Sequence, residues 1–235
     1  MFFIFKRGVW QRCIASLLAL LFVFQLSGCG DREPKQRSAF IIFLQTEIVN
    51  KNRINPPVLT KDQTDSFGEY AKHYQLLVDF DSELKTAFTP LAGSLQTLRA
   101  MTSMKEMVEN RDKIAETLKQ INDGQAKLKT LVQRIEHQKS QLVQPDDLKT
   151  PFDRAYEKIV GQQLEPAKEG FPLLAKLFTE ALTLVDFVNS KGDTARLTNS
   201  TVEFSSQADV DKFNELNANL QKAQSDYLSF SQKGR

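Results

Sequence analysis

Six apolar residues, Met107, Ile114, Ile121, Leu128, Ile135 and Leu142, stand seven apart in one unbroken series. An α-helix returns a side chain to nearly the same face every seventh residue, whereas a strand would send successive members to opposite faces. The repeat predicts one coiled-coil-like helix over residues 103–143, roughly 60 Å long at about 1.5 Å per residue. Arg111, Leu118, Gln125, Val132 and Lys139 occupy the second seam, four residues further on. Its polar members, Arg111, Gln125 and Lys139, mark the candidate seam for a protein partner. Asn122-Asp123-Gly124 reads locally as a turn. The heptad register nonetheless passes through it without a slip, so the helix is expected to continue.

The flanking sequence is also helical in pattern. Residues 38–50 (SAFIIFLQTEIVN) form one apolar helix, closed by Asn55-Pro56-Pro57. Its acidic Glu47 and lack of basic residues favour core packing over a bilayer surface. Phe67, Tyr70, Tyr74, Leu77, Leu84, Phe88, Leu91, Leu95 and Leu98 recur at helical steps, with Asp81 as the one polar intruder. Pro90 is expected to kink or divide that stretch. A further helix follows Pro145-Asp146-Asp147, with Phe152, Tyr156 and Ile159 on one face. Glu165-Pro166 and Phe171-Pro172 punctuate the approach to a central apolar helix over residues 173–188. Arg196-Leu197-Thr198 and Thr201-Val202-Glu203-Phe204 flank Asn199-Ser200 as a short β-hairpin. Ser206 and Asp209 resemble a capping box opening the last helix. The fold expected is all-α: an elongated helical bundle with one long coiled-coil-like helix and one short β-hairpin near the C-terminus. Residues 38–235 are read as a single domain.

Ahead of that domain, Lys6, Arg7 and Arg12 precede a short apolar core, IASLLALLFVF, over residues 14–24. A membrane-spanning helix needs about 20 apolar residues, so this run reads as a secretion leader. Leu26-Ser27-Gly28-Cys29 resembles the bacterial lipobox. The resemblance implies that the Cys29 thiol takes a diacylglyceryl group, that cleavage occurs before it, and that the new amine is acylated. Residues 1–28 are then the lipoprotein signal peptide and residues 29–37 a short anchored tether. More than one acyl chain gives stable anchoring. The body is expected in the periplasm, on either the inner or the outer membrane.

Loss of the leader changes the charge. The whole chain holds 31 basic and 29 acidic side chains; without the three leader cations it holds 28 against 29. The basic pI of about 8.4 therefore comes from the leader, and the body has no basic excess for nucleic acid. Cys13 leaves with the leader and Cys29 carries lipid, so no disulfide and no thiol catalysis are expected.

Other chemistry has weak support. His73 and His137 lie in no metal-ligand pattern and read as surface or boundary residues. Asp79-Phe80-Asp81-Ser82-Glu83 starts like a calcium loop, but Leu84 stands where glycine is required and Pro90 where the closing glutamate belongs. Asp146-Asp147, Glu180 and Asp186 offer carboxylates without a specific pattern. Asp186, between Leu184, Val185, Phe187 and Val188, would have a raised pKa if buried, but a solvated face or a salt-bridged structural role is the favoured reading. No nucleophile elbow, phosphate loop or dinucleotide fingerprint is present. Asn199-Ser200-Thr201 fits a glycosylation acceptor, which carries no meaning behind a bacterial lipobox. No enzyme, cofactor or metal is expected.

SAFIIFLQTEIV, LTKDQTDSFGEYAKHYQLL, DDLKTPFDRAYEKIV and STVEFSSQADVDKFNEL together resemble the YiaF-like family of uncharacterised enterobacterial lipoproteins. That resemblance implies lipoprotein topology and supplies no reaction. The expected role is a membrane-tethered, non-enzymatic interaction or scaffold protein with an envelope partner. The alternative is a bundle that binds a lipid or other apolar ligand among its phenylalanines, twelve of which follow the leader.

Overall fold

The structure is a computed structural model that describes residues 32–53, 55–198 and 201–233. Helix α1 (Arg32–Phe43) continues into a π-helical turn, Leu44–Val49. It starts six residues before the expected Ser38, because Glu33 and Arg37 find partners on neighbouring elements. Phe40, Phe43, Leu44 and Ile48 are buried, so this segment is core. Helix α2 (Lys61–Phe67) opens on a capping box in which Thr60 and Gln63 satisfy each other's backbone N–H groups.

Three helices of about thirty residues form the frame: α3 (Tyr70–Ala100), α5 (Arg111–Ser140) and α7 (Gln162–Ser190). Each is about 45 Å long. Between α3 and α5 lies the short α4 (Met104–Glu109); α6 (Asp146–Tyr156) leads through a second π-helical turn, Glu157–Gly161, into α7. Strands β1 (Ala195–Leu197) and β2 (Val202–Phe204) pair antiparallel with Arg196 opposite Glu203, as the alternation predicted. Helix α8 (Gln207–Lys233) returns along α7. Ser206 accepts the Asp209 N–H at its start.

The long helix differs from its expectation in two places. Position 124 is helical, as the register required, and buried. The break falls instead at Asn110, with φ −108° and ψ 22°. The Asn110 side chain donates to the Glu106 carbonyl at 2.8 Å, competing with helix continuation. Ser103 and Glu106 form a capping box that makes α4 a separate unit. The second seam is also shifted. Ile114, Ile121, Leu128 and Ile135 are buried as expected, but their buried companions are Thr117, Gly124 and Leu131, three residues on. Leu118 and Val132 are only partly buried, and Gln125 is exposed.

The prolines interrupt less than expected. Helix α3 passes through position 90 undivided, and α7 passes through Pro166 and Pro172. Pro166 and Pro172 are both solvent-exposed, as are Gln162 and Lys168, whose carbonyls lose their helical donors and can turn to water.

Packing follows chain order: α3 lies on α5, α5 on α7, and α7 on α8. Among the described residues no comparable packing joins α3 to α8. The long helices therefore form an unclosed layer. Its edges, α3 and α8, leave a groove between them along one face of α7.

Candidate functional groove on helix α7

One face of α7 is the floor of an apolar groove of about 550 Å³, although Ala167, Phe171 and Leu174 on it are themselves buried by its walls. Ala167, Gly170, Phe171 and Leu174 recur at steps of three and four and so point the same way. Leu84 and Phe88 of α3 form one wall, and Tyr227 and Phe230 of α8 the other. Phe88 and Phe171 pack with ring centroids 4.8 Å apart. Gly170 has a steric role, since a Cβ there would stand 2.8 Å from Cε1 of Phe230. The missing side chain seats the Phe230 ring against α7.

At one end of the groove, Lys85 and Gln163 are both bound to Asp81. Asp81 is buried, at 6 % exposure. Its Oδ2 accepts from Lys85 Nζ at 2.6 Å, and its Oδ1 from Gln163 Nε2 at 3.3 Å. Gln163 also donates to the Ile159 carbonyl at 2.6 Å. A buried carboxylate is tolerable only when its lone pairs are occupied in this way. The intruding aspartate of the sequence pattern thus ties α3 to the start of α7.

The residues singled out from sequence are dispersed. Arg111 binds Asp186 through Nε at 2.8 Å and Nη2 at 3.2 Å, joining α5 to α7. Asp186 is therefore not buried: its side chain is 46 % exposed. Its position one residue past Val185 turns it out of the apolar face. Lys139 pairs with Asp153 at 2.8 Å and lies 4.2 Å from the Tyr156 ring centroid. Gln125 lines a separate depression beside Val132, Lys168 and Phe171. The structure thus places Arg111 and Lys139 in contacts within the body. Asp146 pairs with Lys149, and Asp147 with Arg37.

His73 is half-buried between the rings of Tyr70 and Phe152, with Nδ1 3.5 Å from the Gln144 amide. Burial lowers its pKa, against a weaker opposing pull from Glu69. His137 is exposed. Among the described residues no group of His, Cys, Asp or Glu is placed to hold a metal, and no helix is long and apolar enough to cross a membrane. Cys29 and the preceding Leu26, Ser27 and Gly28 lie outside the described residues.

Sequence reasoning missed the groove. Its aromatic residues look like ordinary core positions, and only the order of helix packing reveals that they line an open groove rather than a closed core. One signal was available: Tyr227 and Phe230 continue the apolar stripe of α8 beyond Ala223, its last buried residue.

Comparison with known proteins gives a family without a known activity. The chain is 31% identical over 226 residues to "Uncharacterized protein YiaF" of Escherichia coli K12, covering 89% of each chain. The proteins of the same name from Escherichia coli O157:H7 and Shigella flexneri match over the same length with the same identity. No solved structure matches. The family model described as "Protein of unknown function (DUF3053)" matches residues 17–234, and the chain belongs to that family.

Proposed function

We propose that this protein is a lipid-anchored component of the bacterial envelope whose helical body, held in the periplasm, is a non-enzymatic binding scaffold. The observation that carries the reading is the uncovered groove on α7. Aromatic and aliphatic side chains line it, while Asp81, Lys85 and Gln163 at its end are bound to one another rather than directed at a reacting group. Apolar concavities between helices receive amphipathic helices and small apolar molecules by the same physics. Anchoring through Cys29 would keep such a surface beside a membrane, with no cofactor or metal required. Arg111, Gln125 and Lys139 remain the candidate contacts on α5, Gln125 through an exposed side chain.

A second reading, an apolar ligand such as a lipid, is favoured by the volume, which falls within the roughly 300–1,000 Å³ of small-molecule sites. One experiment separates them. A photo-crosslinking residue replaces Gln162 at the groove edge or Lys127 on α5 in the native envelope, and the bound lipids of the purified protein are analysed in parallel. A defined protein adduct from position 162 that Gly170→Leu abolishes supports the scaffold. A stoichiometric lipid that raises the melting temperature, without a protein adduct, supports the ligand reading. Absence of both a protein adduct and a bound lipid, in folded protein, would refute the groove as the binding site. Incorporation of an alkynyl fatty acid that is lost in Cys29→Ser tests the anchor.

A further inference from the structure

Only Gly30 and Asp31, three Cα–Cα steps in all, separate Cys29 from Arg32, where α1 is already helical. Whatever their conformation, they reach about 10 Å at most. Nor does α1 swing freely. Tyr70 donates its hydroxyl to Glu33, Arg37 bridges Glu33 at 3.4 Å and Asp147 at 3.1 Å, and Phe40 packs on the Phe67 and Tyr70 rings at 5.4 and 6.0 Å. These contacts fix the start of α1 to the beginnings of α3 and α6. A lipid on Cys29 would therefore hold one particular end of the helical layer at the bilayer.

That end carries the groups a bilayer surface would engage. Arg32 and Lys35 are exposed and make no ion pair with any described residue. The neighbouring carboxylates are occupied: Glu33 and Asp147 by Arg37, Asp65 by Lys61 at 2.5 Å, and Asp146 by Lys149 at 2.7 Å. Among the described residues, Arg32 and Lys35 are thus the cations at this end left without an ion-pair partner. Val143 stands 89 % exposed in the bend between α5 and α6. The next residue, Gln144, reaches His73 one turn along α3 from Tyr70, which places Val143 at the same end. Isolated exposed valines are common. Here the valine would share an end with the Cys29 acyl anchor and with two cations that pair with no described carboxylate, a combination that favours anionic bilayers.

We infer that the end bearing Arg32, Lys35 and Val143 is a membrane-docking face, with the two cations on phospholipid phosphates and Val143 at the acyl boundary. The inference rests on the Cys29 anchor. Its consequence is a defined placement of the body. Along α3 the groove residue Phe88 lies about 27 Å beyond Tyr70. The hairpin lies at the opposite end of α5 and α7, where Arg111 meets Asp186.

The test uses the full chain, expressed with its leader, extracted in detergent and reconstituted into phosphatidylethanolamine–phosphatidylglycerol vesicles. Val143→Cys and Glu203→Cys are labelled separately with a polarity-sensitive fluorophore, and quenching by brominated phospholipid is read. The Val143 label should shift to the blue and be quenched several-fold more than the Glu203 label. Arg32→Glu with Lys35→Glu should reduce that difference without changing co-flotation with vesicles. Equal, water-like signals from both labels on co-floating protein would overturn the docking face while leaving the anchor intact. Failure to co-float, unchanged by Cys29→Ser, would overturn the anchor and the docking face with it.

Discussion

Leu131 and Val132 are adjacent on α5, yet the structure gives them opposite weight. Leu131 is 5 % exposed and belongs to the buried seam with Thr117 and Gly124. Val132 is only partly buried at its edge. Truncating Leu131 to alanine removes three carbons from a site that cannot fully collapse. At about 0.8 kcal/mol per buried carbon plus a cavity penalty, the loss should be about 3 kcal/mol. Truncating Val132 removes two half-exposed carbons, and alanine's higher helix propensity recovers about 0.5 kcal/mol, so the net change should be under about 1 kcal/mol. For a body of this size, 3 kcal/mol corresponds to a fall of about 6–12 °C in melting temperature. Urea titration followed by circular dichroism, with thermal melts of the same variants, reads both. A loss at Val132 equal to or larger than that at Leu131 would refute the assignment. It would mean that the buried face of α5 is turned by about 50° about the shared Ile114–Ile135 edge and that the i+4 seam read from the sequence is the packed one.

Three further outcomes follow from local geometry. Lys158 donates to the carbonyls of Val49, at 2.9 Å, and Lys51, capping the π-helical end of α1; Lys158→Met should cost about 1–2 kcal/mol and raise hydrogen exchange over residues 48–51 more than elsewhere. Gly170→Ala should stabilise by about 1 kcal/mol in a Phe230→Ala background, from helix propensity alone, and by clearly less in the native background, where the new Cβ meets the Phe230 ring; denaturant midpoints of the four proteins test this coupling. Burial lowers the folded-state pKa of His73, so the unfolded chain binds its proton more readily: His73 should leave stability intact above its unfolded pKa of about 6.5 and reduce it as pH falls from there toward the folded value. His73→Gln should remove that component from the pH dependence of the urea midpoint, and an unchanged dependence would refute it.

The fold was legible where one helix face or one strand pair decided it. Ile114 to Ile135 at steps of seven define a buried edge of α5 wherever the chain places it, and Arg196 opposite Glu203 follows from the alternation around Asn199-Ser200. What escaped depends on partners distant in sequence. The choice between Leu131 and Val132 as the second seam is set by the direction from which α3 and α7 approach α5, and both are apolar. Asn110 breaks the helix although the heptad runs past it, because a side-chain hydrogen bond local to one turn outweighs a periodicity built from long-range packing. Asp186 was legible in kind but not in partner: a salt-bridged, solvated carboxylate is what the structure shows, since adjacent helical residues lie about 100° apart, but that Arg111 of α5 meets it depends on the packing of α5 on α7.

The groove escaped for a deeper reason, since it is a property of closure rather than of any residue. Had α3 and α8 met, Phe88, Phe171, Tyr227 and Phe230 would fill an ordinary four-helix core, and the sequence would look much the same. Two features hold them apart. The Asp81–Lys85–Gln163 cluster ties α3 to the first turn of α7, and the Phe230 ring seated on Gly170 fixes α8 along the other flank. Both act through α7, so α3 and α8 are positioned independently and nothing requires them to touch. Breaking the polar tie with Asp81→Ala should therefore leave Lys85 without its acceptor and Gln163 with the Ile159 carbonyl alone, and loosen α3 from α7, while the α7–α8 flank keeps its packing. Hydrogen exchange that rises over residues 77–88 and stays unchanged over residues 216–227 would bear this out. A uniform rise across both flanks would mean that the edges of the layer are coupled and that its open face is not built this way.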